Sequence, residues 1–276
     1  MAEYLIQEET LTGIADAIRA KTGGTEAIAV ESMAEEITNL PSGDDETFKG
    51  IIERNGSLIE TLPSDLTTIG PYAFYRCSNM KFTSLPSGIT TIDTSAFSAC
   101  RNLKISSLPT GLSRIETYAF DGCVELELTS IPDTVTYIGE YAFDSCSNMP
   151  LTHIPSGMTR IRRNVFAGCL KLALTSLPEG ITTIDQNAFE RCFELSLNSF
   201  PNTLQTIANL AFYRCTGLTA ITFEGIPSSI GSSAFSNCTN LLTINVPWAE
   251  GAVANAPWGA TNATINYNYV AEEATE

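Results

Sequence analysis

Apolar residues recur along this chain with one fixed period. Phe74, Phe97, Phe120, Phe143, Phe166, Phe189, Phe212 and Phe235 stand 23 residues apart. A cysteine follows each of them by three positions: Cys77, Cys100, Cys123, Cys146, Cys169, Cys192, Cys215 and Cys238. Alanine precedes every phenylalanine except at Val165. Within one unit, Tyr118 to Glu140, the spacing of Leu126, Leu128 and Ile131 predicts an alternating strand that stops at Pro132, and Val135 and Ile138 predict a second short strand. The stretch around Ala119, Phe120 and Cys123 predicts a short helix or turn, with the phenylalanine as the large wedge of the core. Leu172, Leu174, Leu177, Pro178, Ile181 and Ile184 repeat these slots two units later.

A period of this length marks a solenoid, in which each unit buries its apolar face only against its neighbours. Residues 48–246 carry the repeats. The first coil, 48–70, is degenerate, with Ile51 in the phenylalanine slot and Arg54 in the cysteine slot, as an N-terminal cap with one face in water requires. In the seventh unit Glu224 replaces the proline and Pro227 an aliphatic residue, which predicts a changed strand arrangement. Residues 247–276, with Trp248, Trp258, Ala263, Ile265 and Tyr267, read as a C-terminal cap whose short strand covers the last coil edge. Before the repeats, residues 1–47 predict two short helices: Leu11, Ile14 and Ile18 at helical spacing, then Met33 and Ile37 ahead of Pro41. Helices this short are marginal alone and must pack on something.

The net charge of -16 is unevenly spread: -9 falls on residues 1–47, -3 on 48–246 and -4 on the tail from Pro247. A nearly neutral solenoid without a basic stripe argues against nucleic acid as a partner. No apolar run of eighteen residues opens or interrupts the chain, and no basic stretch with an apolar run begins it. The expectation is therefore a protein made in the cytoplasm without a signal peptide and without membrane insertion. Cysteines 23 residues apart with a single histidine, His153, match neither paired zinc ligands nor a disulfide scaffold. They read as buried free thiols in one core ladder. No metal, no cofactor and no catalytic residue is expected, because a triad needs a histidine beside its nucleophile. The best carboxylate pair, Asp121 and Asp144, equivalent residues of successive coils, falls on the expected turn surfaces.

The unit AFxxCxxLxxLTSLPxGITxI resembles the BspA-like leucine-rich repeat. That resemblance implies a curved solenoid used for binding, found on bacterial surface adhesins and in phage or prophage tail proteins. The ends, LTGIADAIRAKTGGTEAIAVESMAEEI and INVPWAEGAVANAPWGATNATINYN, are similar to segments of tail and tail-fibre proteins from phages of Gram-positive bacteria. The resemblance implies a virion tail component whose residues 1–47 dock on other tail proteins, while the solenoid faces a host cell-surface glycan or protein. A bacterial adhesin and a purely structural tail spacer remain the alternatives. Short helices at a fibre's start often associate, so a homo-oligomer is left open.

Candidate contact residues come from slots where the repeats differ. Two positions after the aliphatic residue that begins the second strand stand Thr91, Arg114, Tyr137, Arg160 and Thr183. Arg114, Tyr137 and Arg160 should lie in successive coils, roughly 5 Å apart, as a tyrosine flanked by two guanidinium groups. They either stack on a ligand or stack on one another. His153 takes a slot held elsewhere by serine, at an exposed strand position, and joins them as a candidate. Arg162 and Arg163 should pair across coils with Asp185 and Glu140.

Overall fold

A computed structural model describes residues 62–270 apart from positions 63, 79 and 81. The two helices expected within residues 1–47 and most of the N-terminal cap coil lie outside the described residues.

The described chain is a parallel β-solenoid. Its strands in order are β1 (Thr68–Ile69), β2 (Thr91–Ile92), β3 (Arg114–Ile115), β4 (Tyr137–Ile138), β5 (Arg160–Ile161), β6 (Thr183–Ile184), β7 (Ser199–Phe200), β8 (Thr206–Ile207), β9 (Ala220–Phe223), β10 (Ser229–Ile230), β11 (Thr243–Asn245) and β12 (Thr264–Asn266). They pair in parallel within three sheets, ordered β1-β2-β3-β4, β5-β6-β8-β10 and β7-β9-β11-β12. Residues one period apart face each other, as in Thr91 with Arg114 and Arg114 with Tyr137. Each two-residue strand points one residue outward and buries the next, which is the minimal form of strand alternation.

The helical turns expected around the Ala-Phe-x-x-Cys stretches do not form, and no helix occurs among the described residues. The hydrogen bonds show why. The N–H groups of Ala119, Asp121 and Cys123 donate three residues back within their own coil, at 3.1 to 3.2 Å, whereas those of Tyr118, Phe120 and Gly122 donate to Glu140, Ala142 and Asp144 of the next coil. Alternate donors thus leave the coil, which a helix forbids. Tyr118 and Gly122 sit at φ 58° and 69°, and the same two slots are left-handed in most coils. That conformation breaks a right-handed helix and costs a residue other than glycine or asparagine about 1–2 kcal/mol. Asn164 and Asn187 meet this demand cheaply; Tyr72, Tyr118 and Tyr141 do not.

The expected strand through Leu126, Leu128 and Ile131 is also reduced, to extended chain with one isolated bridge between Ser130 and His153. The altered seventh unit, by contrast, carries β9, the longest strand in the described chain. Beyond it, β12 covers the edge of β11, with Thr243 opposite Thr264.

Two ladders run through the core beside the buried leucines and isoleucines. Phenylalanine rings from Phe74 to Phe235 stack coil on coil at 5.2 to 5.8 Å between centroids, with interplanar angles of 4° to 16°. All eight cysteines are buried and free. From Cys100 onward each thiol donates to the carbonyl of the phenylalanine 26 residues earlier, as Cys146 Sγ does to Phe120 O at 3.0 Å. The ladder therefore selects a small apolar side chain with one weak donor. Burial pushes the thiols of Cys123, Cys146, Cys169, Cys192 and Cys215 well up, and that of Cys238 to about 12. Because the thiolate is the reacting form, a thiol reagent should label none of the eight in the native protein and all eight in denaturant. Fewer than eight in denaturant would contradict the reduced ladder.

Candidate functional site

The outward residues of β2 to β6 form the polar column anticipated from the sequence: Thr91, Arg114, Tyr137, Arg160 and Thr183. The structure joins Arg114 to Tyr137, with the guanidinium carbon 4.3 Å from the ring centroid. The other flank of the tyrosine is not Arg160. It is Arg162, at 4.6 Å from the same ring. Arg160 instead makes a two-bond pair with Asp185, Nε and Nη2 donating at 2.7 and 2.8 Å. Asp185 is thus the partner of Arg160 and not of Arg162. No ion pair between Glu140 and Arg163 forms among the described residues.

The exchange has a local cause. Arg160 in β5 and Arg162 just after it lie on the same side of the extended chain, since side chains alternate with period two. The position one period before Arg162 is Gly139, which places no side chain between that arginine and Tyr137. The signal for Arg162 was therefore present as a glycine, and a column read at one slot only could not see it. Arg114 is held in turn by Glu116, at 2.7 and 2.8 Å. Both faces of Tyr137 are covered by cations, so stacking among themselves, one of the two alternatives, is what these side chains do. What remains open outward is the guanidinium surface: Arg114 and Arg160 are exposed and Arg162 is half-buried.

His153 is exposed and lies elsewhere on the coil, with its Nε2 3.4 Å from the Asp133 carboxylate. No contact joins it to Arg114, Tyr137 or Arg160. Glu250, Val253, Pro257, Ile265 and Tyr267 border an open concavity of about 410 Å³ at the C-terminal end of the solenoid.

The turn surfaces hold the acidic pair. Asp121 accepts from Ser98 Oγ at 3.3 Å and Asp144 from Ser145 Oγ at 3.4 Å. Partial burial raises the Asp144 carboxyl to about 6, with the negative charge of Asp121 adding to it, and burial raises Asp121 as well. A carboxyl whose folded pKa is raised stabilises the fold fully below its ordinary value of 3.8, and loses that contribution as the pH climbs through 6. Asp144→Asn, neutral throughout, should be about 1 kcal/mol more stable than the parent at pH 7.5 once solvent screening is allowed for. Its advantage should vanish near pH 4. Denaturant melts at the two pH values would check this; an advantage independent of pH would refute it.

Stacked parallel coils, a shared aromatic column and a polar strand face define a solenoid repeat protein. The family described as BspA type leucine rich repeat region matches residues 55–173 and 145–250, and the chain belongs to that family. Among solved structures it is similar to a leucine-rich repeat protein from Bacteroides ovatus, at 25% identity and a TM-score of 0.54 over 75% of this chain and 59% of that one. The chain thus spans 59% of that relative's length. A leucine-rich repeat protein of T. pallidum is 30% identical, with a TM-score of 0.42 over 51% of this chain and 68% of that one. A leucine-rich cell surface protein from Faecalibacterium prausnitzii is 28% identical, with a TM-score of 0.39 over 70% and 54%. A search of curated protein sequences finds no match.

Proposed function

We propose that this chain is a recognition protein that performs no chemistry and engages a ligand on a bacterial cell surface through the strand face around Tyr137. The observation that carries this reading is the column itself. A slot that holds threonine or serine in the outer coils becomes arginine, tyrosine, arginine over three successive coils, and Arg162 joins them. Core packing gives no reason for that change, because these side chains point out of the core, and guanidinium groups and aromatic rings are the residues that dominate binding surfaces. The chain belongs to the BspA type leucine-rich repeat family, and the use for binding that the resemblance implies supports the same reading.

The setting we favour is a phage or prophage tail, with residues 1–47 docking on other tail proteins, as the similarity of the two chain ends implies; a cell-borne adhesin would use the same face. Labelled full-length protein should bind intact host bacteria, and Tyr137→Ala should weaken that binding about tenfold, equivalent to roughly 1.4 kcal/mol. The fold should lose only about 1 kcal/mol, the worth of exposed cation–π contacts. Undiminished binding by Tyr137→Ala would remove this face, and failure of the parent to bind any host would leave the spacer reading. Antibody labelling of purified tail particles would separate the two settings.

A further inference from the structure

Among the described residues, the strand-side ladder of the solenoid is unzipped at the β4 to β5 junction. Elsewhere between Thr67 and Ala208, two backbone bonds flank each strand pair. Thr90, Ser113, Thr136, Thr182 and Gln205 donate to the residue one period earlier just before the strand; Asp93, Glu116, Gly139, Asp185 and Ala208 donate to the isoleucine of the preceding coil just after it. At the β4 to β5 junction neither bond forms: Thr159 N–H does not reach Thr136 O, nor Arg162 N–H Ile138 O, and the two strands belong to separate sheets. The Thr159 hydroxyl also lacks the bond to the preceding coil that Thr90, Ser113, Thr136 and Thr182 make. The opposite side stays closed, with Tyr141, Phe143 and Ser145 donating to Arg163, Val165 and Ala167 at 2.7 to 3.1 Å.

Two larger side chains set the coil at the opening apart from its neighbours. This coil alone has valine in place of alanine before its phenylalanine, and it carries Met158 where the coils before and after hold Val135 and Ile181. Phe143 and Phe166 are the most widely spaced pair of the stack, at 5.8 Å. The seam opens only toward the strand face, where Arg162 lies over Tyr137.

The rim of this seam has a defined chemistry. Two N–H donors, of Thr159 and Arg162, face β4 without partners, and two carbonyls, of Thr136 and Ile138, face β5 without partners. Unpaired backbone groups of this kind must be satisfied by water or by a ligand. Beside them is the guanidinium of Arg162, which has no carboxylate partner among the described residues, whereas Arg114 and Arg160 are neutralised by Glu116 and Asp185. A carboxylate matches the donors and the guanidinium; hydroxyl donors match the carbonyls. One ligand class offers both on a single ring.

We propose that the β4 to β5 seam, with Arg162 and the free N–H groups of Thr159 and Arg162, is a binding site for the uronate sugars of an acidic surface polysaccharide. The site rests on the recognition function above and names its ligand.

Hydrogen exchange and calorimetry on the full chain test it, with hyaluronate and alginate oligosaccharides as probes and a neutral dextran oligosaccharide as control. In the free protein the Thr159 and Arg162 amides should exchange at least about 100-fold faster than those of Thr182 and Asp185. A uronate oligosaccharide should slow them, dextran should not, and Arg162→Gln should weaken uronate binding at least about tenfold. The inference is overturned if neither uronate probe binds, if dextran binds equally well, or if Arg162→Gln binds as tightly as the parent. Should the parent nonetheless hold host cells, the recognition function stands without this ligand; should it hold none, that function fails first.

Discussion

Phe143→Ala is expected to lower the stability of the solenoid by about 4 kcal/mol. The ring is fully buried between Phe120 at 5.4 Å and Phe166 at 5.8 Å, so its removal strips both neighbours of a stacking partner. Its carbonyl accepts the Cys169 thiol, and its N–H donates to Val165, so the backbone is held from both sides and the gap can close only partly. The position also matters. In a one-dimensional array, stability is a sum of unit terms and nearest-neighbour interfaces, and an interior lesion weakens two interfaces together. Here one of the two is the β4 to β5 junction, which has already lost its strand-side bonds. Phe143→Ala should therefore be more damaging than Phe97→Ala, and denaturation followed by circular dichroism should broaden toward two steps as the array divides at the seam. Equal midpoints for the two variants would show that the missing bonds carry no weight in the stability of this junction.

The period, the phenylalanine and cysteine slots and the closing role of β12 are legible in the residues alone, because a side chain that must fill the same space in every coil leaves the same letter every 23 positions. Backbone conformation left a fainter trace. Tyr118 and Tyr141 at left-handed φ give no composition signal for a tight turn, and the i, i+3 spacing of phenylalanine and cysteine expresses the preference of a helical turn. Inter-coil hydrogen bonds override that preference, and they are long-range by construction. The candidate face shows the same division. Its column could be counted from the spacing, whereas the choice between Arg160 and Arg162 as partner of Tyr137 depended on the missing side chain of Gly139 and on where Asp185 sits. The seam left a trace only in two side chains, Val165, which breaks the run of alanines, and Met158, and neither reports the bonds that do not form.

Trp258→Ala should act differently from any change in the middle of the stack, though the residue it removes is larger. The indole is fully buried, its Nε1–H donates to Ala254 O at 2.7 Å, and its ring stands 6.4 Å from Trp248 and 6.3 Å from Phe223. Trp258 O also accepts the Phe235 N–H, so this residue ties the closing segment to the last regular coil beside the β11 to β12 pairing. Burial of a tryptophan removes about 150–250 Å² from water, which at about 25 cal/mol per Å² is roughly 4–6 kcal/mol. An end lesion weakens a single interface, so the loss should stay local. Amides of β11 and β12, such as Ile244 and Ile265, should lose hydrogen-exchange protection in Trp258→Ala, while those of β3 and β6 keep it. Trp258→Phe should recover much of the protection, since an apolar ring remains, without the bond to Ala254. Uniform loss along the array would mean that the coils unfold as one unit and that Trp258 supports all of them. An unchanged exchange pattern would mean that β12 is held by its pairing with β11 alone.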